Sequence, residues 1–250
     1  MKFSRYALFI LFSFAIFING CKKDEPKTNT SPEDKNSTKK LSGEVITQDK
    51  QKQLTADVVL QSLKDGNKRF VDGKLTDWDY SKQVKETSHG QYPEAIILSC
   101  IDSRVPVEVV FDRGIGDLFV ARVAGNIADS DILGSMEYSC KVSGAKLILV
   151  LGHAHCGAVK SAVDDVKLGN ITGLLDKIQP SVKSFPDYKG EKTSKNYEFV
   201  DMVGKKNVSE TIEHIRKESP ILKEMEDKGE IKIAGAFYDI ETGKVEFLEK

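Results

Sequence analysis

What this 250-residue chain lacks narrows its class before any motif is read. Neither sign of charge dominates: 37 Lys and Arg stand against 38 Asp and Glu, for a net charge of −1. Composition therefore gives no electrostatic footprint for nucleic acid. Cysteine is scarce, at positions 21, 100, 140 and 156 only, which is too few for a disulfide framework. The longest apolar run, Tyr6 to Ile18, falls short of the roughly 20 residues a spanning helix needs. There is no internal repeat and no sign of a second globular domain. A hydrophobic content of 40% and a charged content of 30% are ordinary for one good-sized soluble domain.

The amino terminus is a targeting segment. Lys2 and Arg5 precede the short apolar run, and Asn19-Gly20-Cys21 follows it, the layout of a secretory signal peptide. The small residue before Cys21 resembles a bacterial lipoprotein cleavage site, which implies a signal peptide over 1–20 and a lipid on Cys21. The alternative is an uncleaved signal anchor. From Lys22 to about Ser42 the sequence has almost no apolar residue and cannot offset chain entropy by burial. The organisation drawn from this is a lipidated Cys21 with a disordered tether over 21–53 and a single domain over 54–250. Such a protein is exported and membrane-anchored, facing the periplasm or the cell surface.

Within the domain, Ala95–Ser99, Asp117–Arg122, Lys146–Leu151 and Ile231–Phe237 are branched-aliphatic runs. Runs of that kind fit parallel strands covered on both faces. Helical stretches separate them, and Val245–Leu248 reads as an edge strand after a Glu241-Thr-Gly243 turn. The predicted class is α/β, a mostly parallel central sheet flanked by helices with an antiparallel edge strand and an N-terminal helical arm. That arm, Thr55–Val71, carries Val58, Val59, Leu63 and Phe70 at helical spacing. With the sheet faces assigned to later helices, it is expected to bury them against a neighbouring subunit. Cys140, in a helical stretch, reads as a small buried hydrophobe.

Two short stretches carry the chemistry. Cys100-Ile-Asp-Ser-Arg104 follows the first strand, and Gly152-His-Ala-His-Cys-Gly157 follows the third. Ligands of open α/β sheets bind beyond the carboxyl ends of the strands, so Cys100, His153 and Cys156 should meet in one crevice. Two thiolates and an imidazole suit zinc, and three protein ligands leave a fourth position open, the arrangement of catalytic sites. His155 should point away from that site, and His89 and His214 read as surface residues.

With Arg122-Val-Ala-Gly-Asn126 added to these two stretches, the chain resembles the β-class carbonic anhydrases from about Leu54 to Phe247. The resemblance implies reversible hydration of carbon dioxide to bicarbonate and a proton, by hydroxide made at one zinc per subunit. It further implies a homodimer or higher homo-oligomer. By position it makes Cys100, His153 and Cys156 the zinc ligands and Asp102 with Arg104 the catalytic dyad. Gln91, Phe119, Tyr138 and Gly157 become substrate-binding positions, although both aromatics also read as core. Members with an inhibitory bicarbonate pocket have Trp and Gly where this chain has Ile97 and Ser99, which argues against such regulation. Two other functions stay open. One is a non-catalytic zinc or bicarbonate-binding lipoprotein in which Asp102 fills the fourth position. The other is a hydrolase of an analogue such as CS2 or COS.

Overall fold

A computed structural model describes residues 41–248; the expected signal peptide, Cys21 and the expected tether up to residue 40 lie outside the described residues. Four parallel strands, β1 (Ala95–Ser99), β2 (Leu118–Arg122), β3 (Leu147–His153) and β4 (Lys232–Tyr238), are joined by β5 (Val245–Leu248), antiparallel to β4. The order across the sheet is β2-β1-β3-β4-β5. Every residue of β1 and β3 is buried, which is why both read as uninterrupted aliphatic runs rather than alternating ones.

Two apolar layers sandwich the sheet. On one face Ile96, Leu98, Ile148 and Val150 pack with Met136 of α5 (Ser130–Glu137), with Val208, Ile212 and Ile215 of α9 (Tyr197–Glu218), and with Leu222 and Met225 of α10 (Pro220–Asp227). On the other, Ala95, Ile97, Leu147, Leu149 and Leu151 meet Val59 and Leu63 of α2 (Ala56–Val71) and Val107 and Val110 of α4 (Val107–Val110). Each of these side chains larger than alanine contributes about 1.5–3 kcal/mol when fully buried. The remaining helices are α1 (Gln48–Gln53), α3 (Tyr80–Thr87), α6 (Gly157–Val163), α7 (Gly169–Asp176) and α8 (Gln179–Lys183). Among the described residues no helix is long and apolar enough to cross a membrane.

Two expectations are corrected here. Val59 and Leu63 are fully buried in the chain's own core; α2 covers a sheet face that had been assigned to later helices, rather than packing on a neighbour, while Val58 is exposed. The ordered body also begins well before residue 54. Ser42 bridges to Asp77, the amide of Gly43 donates to the Asp77 carbonyl at 3.3 Å, and α1 follows. Gln51 of α1 is buried, and its amide donates to the carbonyls of Pro93 and Ser143, each at 2.8 Å.

That leading strap is fastened at the amino-terminal pole of the sheet. Gly43 lies so close to the Trp78 ring that a Cβ would collide with it. Trp78 in turn donates its indole N–H to Asp112 at 3.1 Å. The buried Asp112 also accepts from Arg69, at 2.5 Å, and from the hydroxyl of Thr76, at 2.7 Å. The Arg69 guanidinium and these other donors hold its carboxyl below the usual carboxylate range, although burial pushes the other way.

Candidate metal centre

The opposite, carboxyl-terminal pole carries the chemistry. β1 and β3 are adjacent and in register, Ser99 opposite Leu151, so the residues just beyond them emerge side by side. Cys100, His153 and Cys156 are all buried, and their ligand atoms lie within 4.8 Å of one another. The two sulfurs are 3.9 Å apart; two Zn–S bonds of about 2.3 Å at a tetrahedral angle span about 3.8 Å. His153 Nδ1 lies 2.9 Å from the Ala154 carbonyl. A carbonyl only accepts, so Nδ1 carries the proton and Nε2 presents its lone pair. Nε2 is buried with no hydrogen-bond partner among the described residues, an expensive arrangement unless a cation takes the lone pair. The donor set and spacing therefore fit zinc.

Of the two sulfurs, Cys100 leans toward ionisation: its contacts with the Cys156 thiol, with His153 and with the backbone N–H groups of Gly125 and Asp102 pull its thiol down against burial. Cys156 is pushed up by the Cys100 sulfur and by its own burial. A divalent cation would bind both as thiolates and displace any proton they hold. The Gly125 amide donates to Cys100 Sγ at 3.4 Å. Gly125 has φ 72°, a left-handed conformation that glycine adopts without strain.

Asp102 borders the trio, its Oδ2 3.9 Å from His153 Nε2. Arg104 grips it as a two-pronged fork, Nε to Oδ1 at 2.9 Å and Nη2 to Oδ2 at 2.8 Å, and the Arg104 backbone N–H adds a third bond to Oδ1. Those bonds hold the Asp102 carboxyl well below the usual range. Arg122, at the end of β2, braces the same loop by donating to the carbonyls of Cys100, at 2.9 Å, and Asp102, at 2.5 Å. Sequence reasoning used Arg122 only as part of a motif and gave it no task.

The other predicted positions scatter. Gly157 opens α6 next to Cys156, exposed and with open space around it. Gln91 is exposed and precedes the amino end of β1. About 17 Å of strand separates it from the carboxyl end of β1, where Cys100 follows. Phe119 and Tyr138 pack edge to face, centroids 6.4 Å apart, and line a cavity of about 630 Å³ along the outer edge of β2 that none of the trio borders. His155 is half-buried, stacks on Tyr197 at 4.4 Å and does not belong to the trio, as its reading required. His89 and His214 are exposed. Ile97 and Ser99 are fully buried, Ile97 within the apolar core. A larger cavity of about 660 Å³, beside β4 and Phe247, is remote from the trio.

Comparison with known proteins agrees with this geometry. A family model described as carbonic anhydrase matches residues 95–245. Carbonic anhydrase 2 of Mycobacterium tuberculosis is 35% identical over 190 residues, covering 74% of this chain and 88% of the relative. A carbonic anhydrase of Mycolicibacterium smegmatis is 36% identical over 192 residues, covering 74% and 90%. Among solved structures, a Coccomyxa β-carbonic anhydrase in complex with acetazolamide superimposes with TM-score 0.60 at 25% identity, over 68% of this chain and 78% of that one. The β-carbonic anhydrase CafA of Aspergillus fumigatus gives 0.62 at 22% identity, over 77% and 90%, a likeness of fold.

Proposed function

Because the chain belongs to the carbonic anhydrase family, with the β-class fold, we propose that Asp102 and Arg104 are its working dyad beside the zinc trio. The enzyme is a carbonic anhydrase, a zinc-dependent lyase that interconverts carbon dioxide and water with bicarbonate and a proton. The observation that carries the reading is the buried Cys100–His153–Cys156 trio, one donor short of a tetrahedron, with a carboxylate held at its rim. Zinc at such a site supplies Lewis acidity, bringing the pKa of water from about 15.7 toward neutrality.

The chain's own groups do the rest. Both sulfurs and Nε2 of His153 would hold the ion, in a buried setting that limits competition from bulk water. Asp102, ionised and unable to rotate while Arg104 grips both its oxygens, accepts a hydrogen bond from the reacting water and so directs an oxygen lone pair at carbon dioxide. By holding both its oxygens, Arg104 would also keep that carboxylate from becoming a fourth ligand. Gly157, open beside Cys156, lets substrate approach without a side chain in the way.

Gln91, Phe119 and Tyr138 lie away from the chain's own trio, and their association with substrate calls for a second subunit. The active assembly is a homodimer or larger, in which the open edge of β2 meets its partner and brings those three residues to the partner's cleft. The acylated Cys21 tethers this assembly to a membrane outside the cytoplasm.

Stopped-flow measurement of carbon dioxide hydration by the zinc-loaded full chain tests the activity. A rate no higher than buffer, with stoichiometric zinc bound, would overturn it and leave a zinc-binding lipoprotein. Turnover of CS2 or COS but not of carbon dioxide would reassign the substrate.

A further inference from the structure

The metal ligands come from the strand ends, but two polar side chains of a single helix also reach their loops. Helix α9 presents a buried face of Phe199, Val200, Val203, Gly204, Asn207, Val208, Thr211 and others to the sheet and the trio's surroundings. In that apolar row Asn207 is an anomaly: it is 2% exposed, and burying a primary amide is unfavourable unless it is hydrogen-bonded. Its Nδ2 donates to the Gly125 carbonyl at 2.8 Å. On the far side of the same residue, the Gly125 N–H donates to Cys100 Sγ. One glycine thus transmits the position of α9 to a ligand sulfur.

Six residues earlier, Asp201 reaches the other ligand loop. Its Oδ1 accepts from the backbone N–H of His155 at 2.8 Å. His155 lies between His153 and Cys156 and has φ 57°, a left-handed backbone that is uncommon for a residue with a Cβ and gains from an added hydrogen bond. Asp201 supplies such a bond. Asn207 and Asp201 are about 9 Å apart along the helix axis and between them brace both loops that carry the three ligands.

We infer that Asp201 and Asn207 are positioning residues that set the geometry of the metal centre from helix α9. Neither touches the metal or the substrate. They hold Cys100 on one side and the His153–Cys156 turn on the other at a spacing that a zinc ion bridges without rearrangement. Neither was singled out in the sequence, where Asp201 reads as one charge on a helix and Asn207 as one polar residue in it. The inference rests on the trio being a zinc site.

The test uses the full chain, with zinc affinity read by competition against a chromophoric chelator and the metal environment read in the cobalt(II)-substituted protein. Asn207→Leu, which removes the donor, and Asp201→Ala, which removes the acceptor, should each weaken zinc about 10- to 100-fold, the usual effect of losing a group that orients a ligand. Asp201→Asn keeps an oxygen in place and should restore affinity to within a few-fold of the parent. In Asn207→Leu the thiolate-to-cobalt absorption should also move to longer wavelength, because Cys100 loses a well-aimed N–H donor. Asn207 borders a cavity of about 530 Å³, so Asn207→Ser, with water free to enter, is the variant to use if the leucine protein is insoluble.

Unchanged zinc affinity and an unchanged cobalt spectrum in both truncations would overturn the inference, even if the metal-free proteins melt earlier. That pattern describes ordinary helix packing. Failure of Asp201→Asn to recover affinity would overturn it for Asp201. A parent chain that binds no zinc would overturn the zinc reading and this inference with it.

Discussion

Asp117, at the pole of the sheet away from the metal, predicts a measurable dependence of stability on pH. It is 2% exposed; its Oδ2 accepts from the Gly114 amide at 2.8 Å, and its Oδ1 has no partner among the described residues. Burial pushes its carboxyl up from 3.8 to about 6, and the charge of Glu94 adds to the effect while Arg113 opposes it. Arg113 is itself committed to Glu94 at 2.6 Å. The folded state therefore binds this proton more tightly than the unfolded chain does. The stability it contributes is fully present below pH 3.8 and is lost as pH rises to about 6. A displacement of that size corresponds to about 3 kcal/mol, of which about 2–3 falls between pH 4 and pH 8.

Asp117→Asn keeps an oxygen for the Gly114 N–H and abolishes the titration. Its new amide NH2 lacks a partner and offsets some of the gain by about 1–3 kcal/mol, so the absolute difference at one pH is a poor test. The change in that difference is the proper one. Urea unfolding of parent and variant from pH 4 to pH 8, with zinc held at one excess, should show the variant gaining on the parent by about 2–3 kcal/mol across the window. Zinc binding is itself pH-dependent but enters both proteins alike. Curves that stay parallel throughout would mean that Asp117 titrates as an ordinary carboxyl and that its burial is relieved by solvent.

Three further outcomes are expected. Cys100→Ser, His153→Ala and Cys156→Ser should each lose zinc by elemental analysis; full occupancy in all three would refute the trio. Asp102→Asn should keep zinc but lose hydration activity by about 100-fold or more, and Arg104→Ala should do likewise by freeing Asp102 toward the metal, whereas near-parental rates in both would reduce the dyad to a structural ion pair. Cys21→Ala should release the protein from membranes and abolish incorporation of labelled fatty acid; a parent chain that takes up no label would remove the lipid anchor.

The strands and the trio were legible because one physical rule covers both. Strands buried on both faces must be aliphatic throughout, and whatever follows two neighbouring ones must meet, so a separation of 56 residues between Cys100 and Cys156 did not hide their contact. Packing partners were less legible. The stripe Val59–Leu63 declares that α2 buries a face, but periodicity does not say against which chain. The strap from Leu41 to Gln53 carries no apolar period at all: it is held by one amide reaching two carbonyls and by a glycine under an indole, contacts that have no sequence signature. The roles of Asn207 and Asp201 were hidden for the same reason. Each depends on a backbone group far along the chain.

The fastening of that strap sets a direction. Residues 41–43 leave the body at the amino-terminal pole, beside Trp78, while the trio opens at the carboxyl-terminal pole, a strand's length of about 17 Å away. The chain therefore enters the described body at the end remote from the metal centre, and the way to the trio does not pass the point of entry.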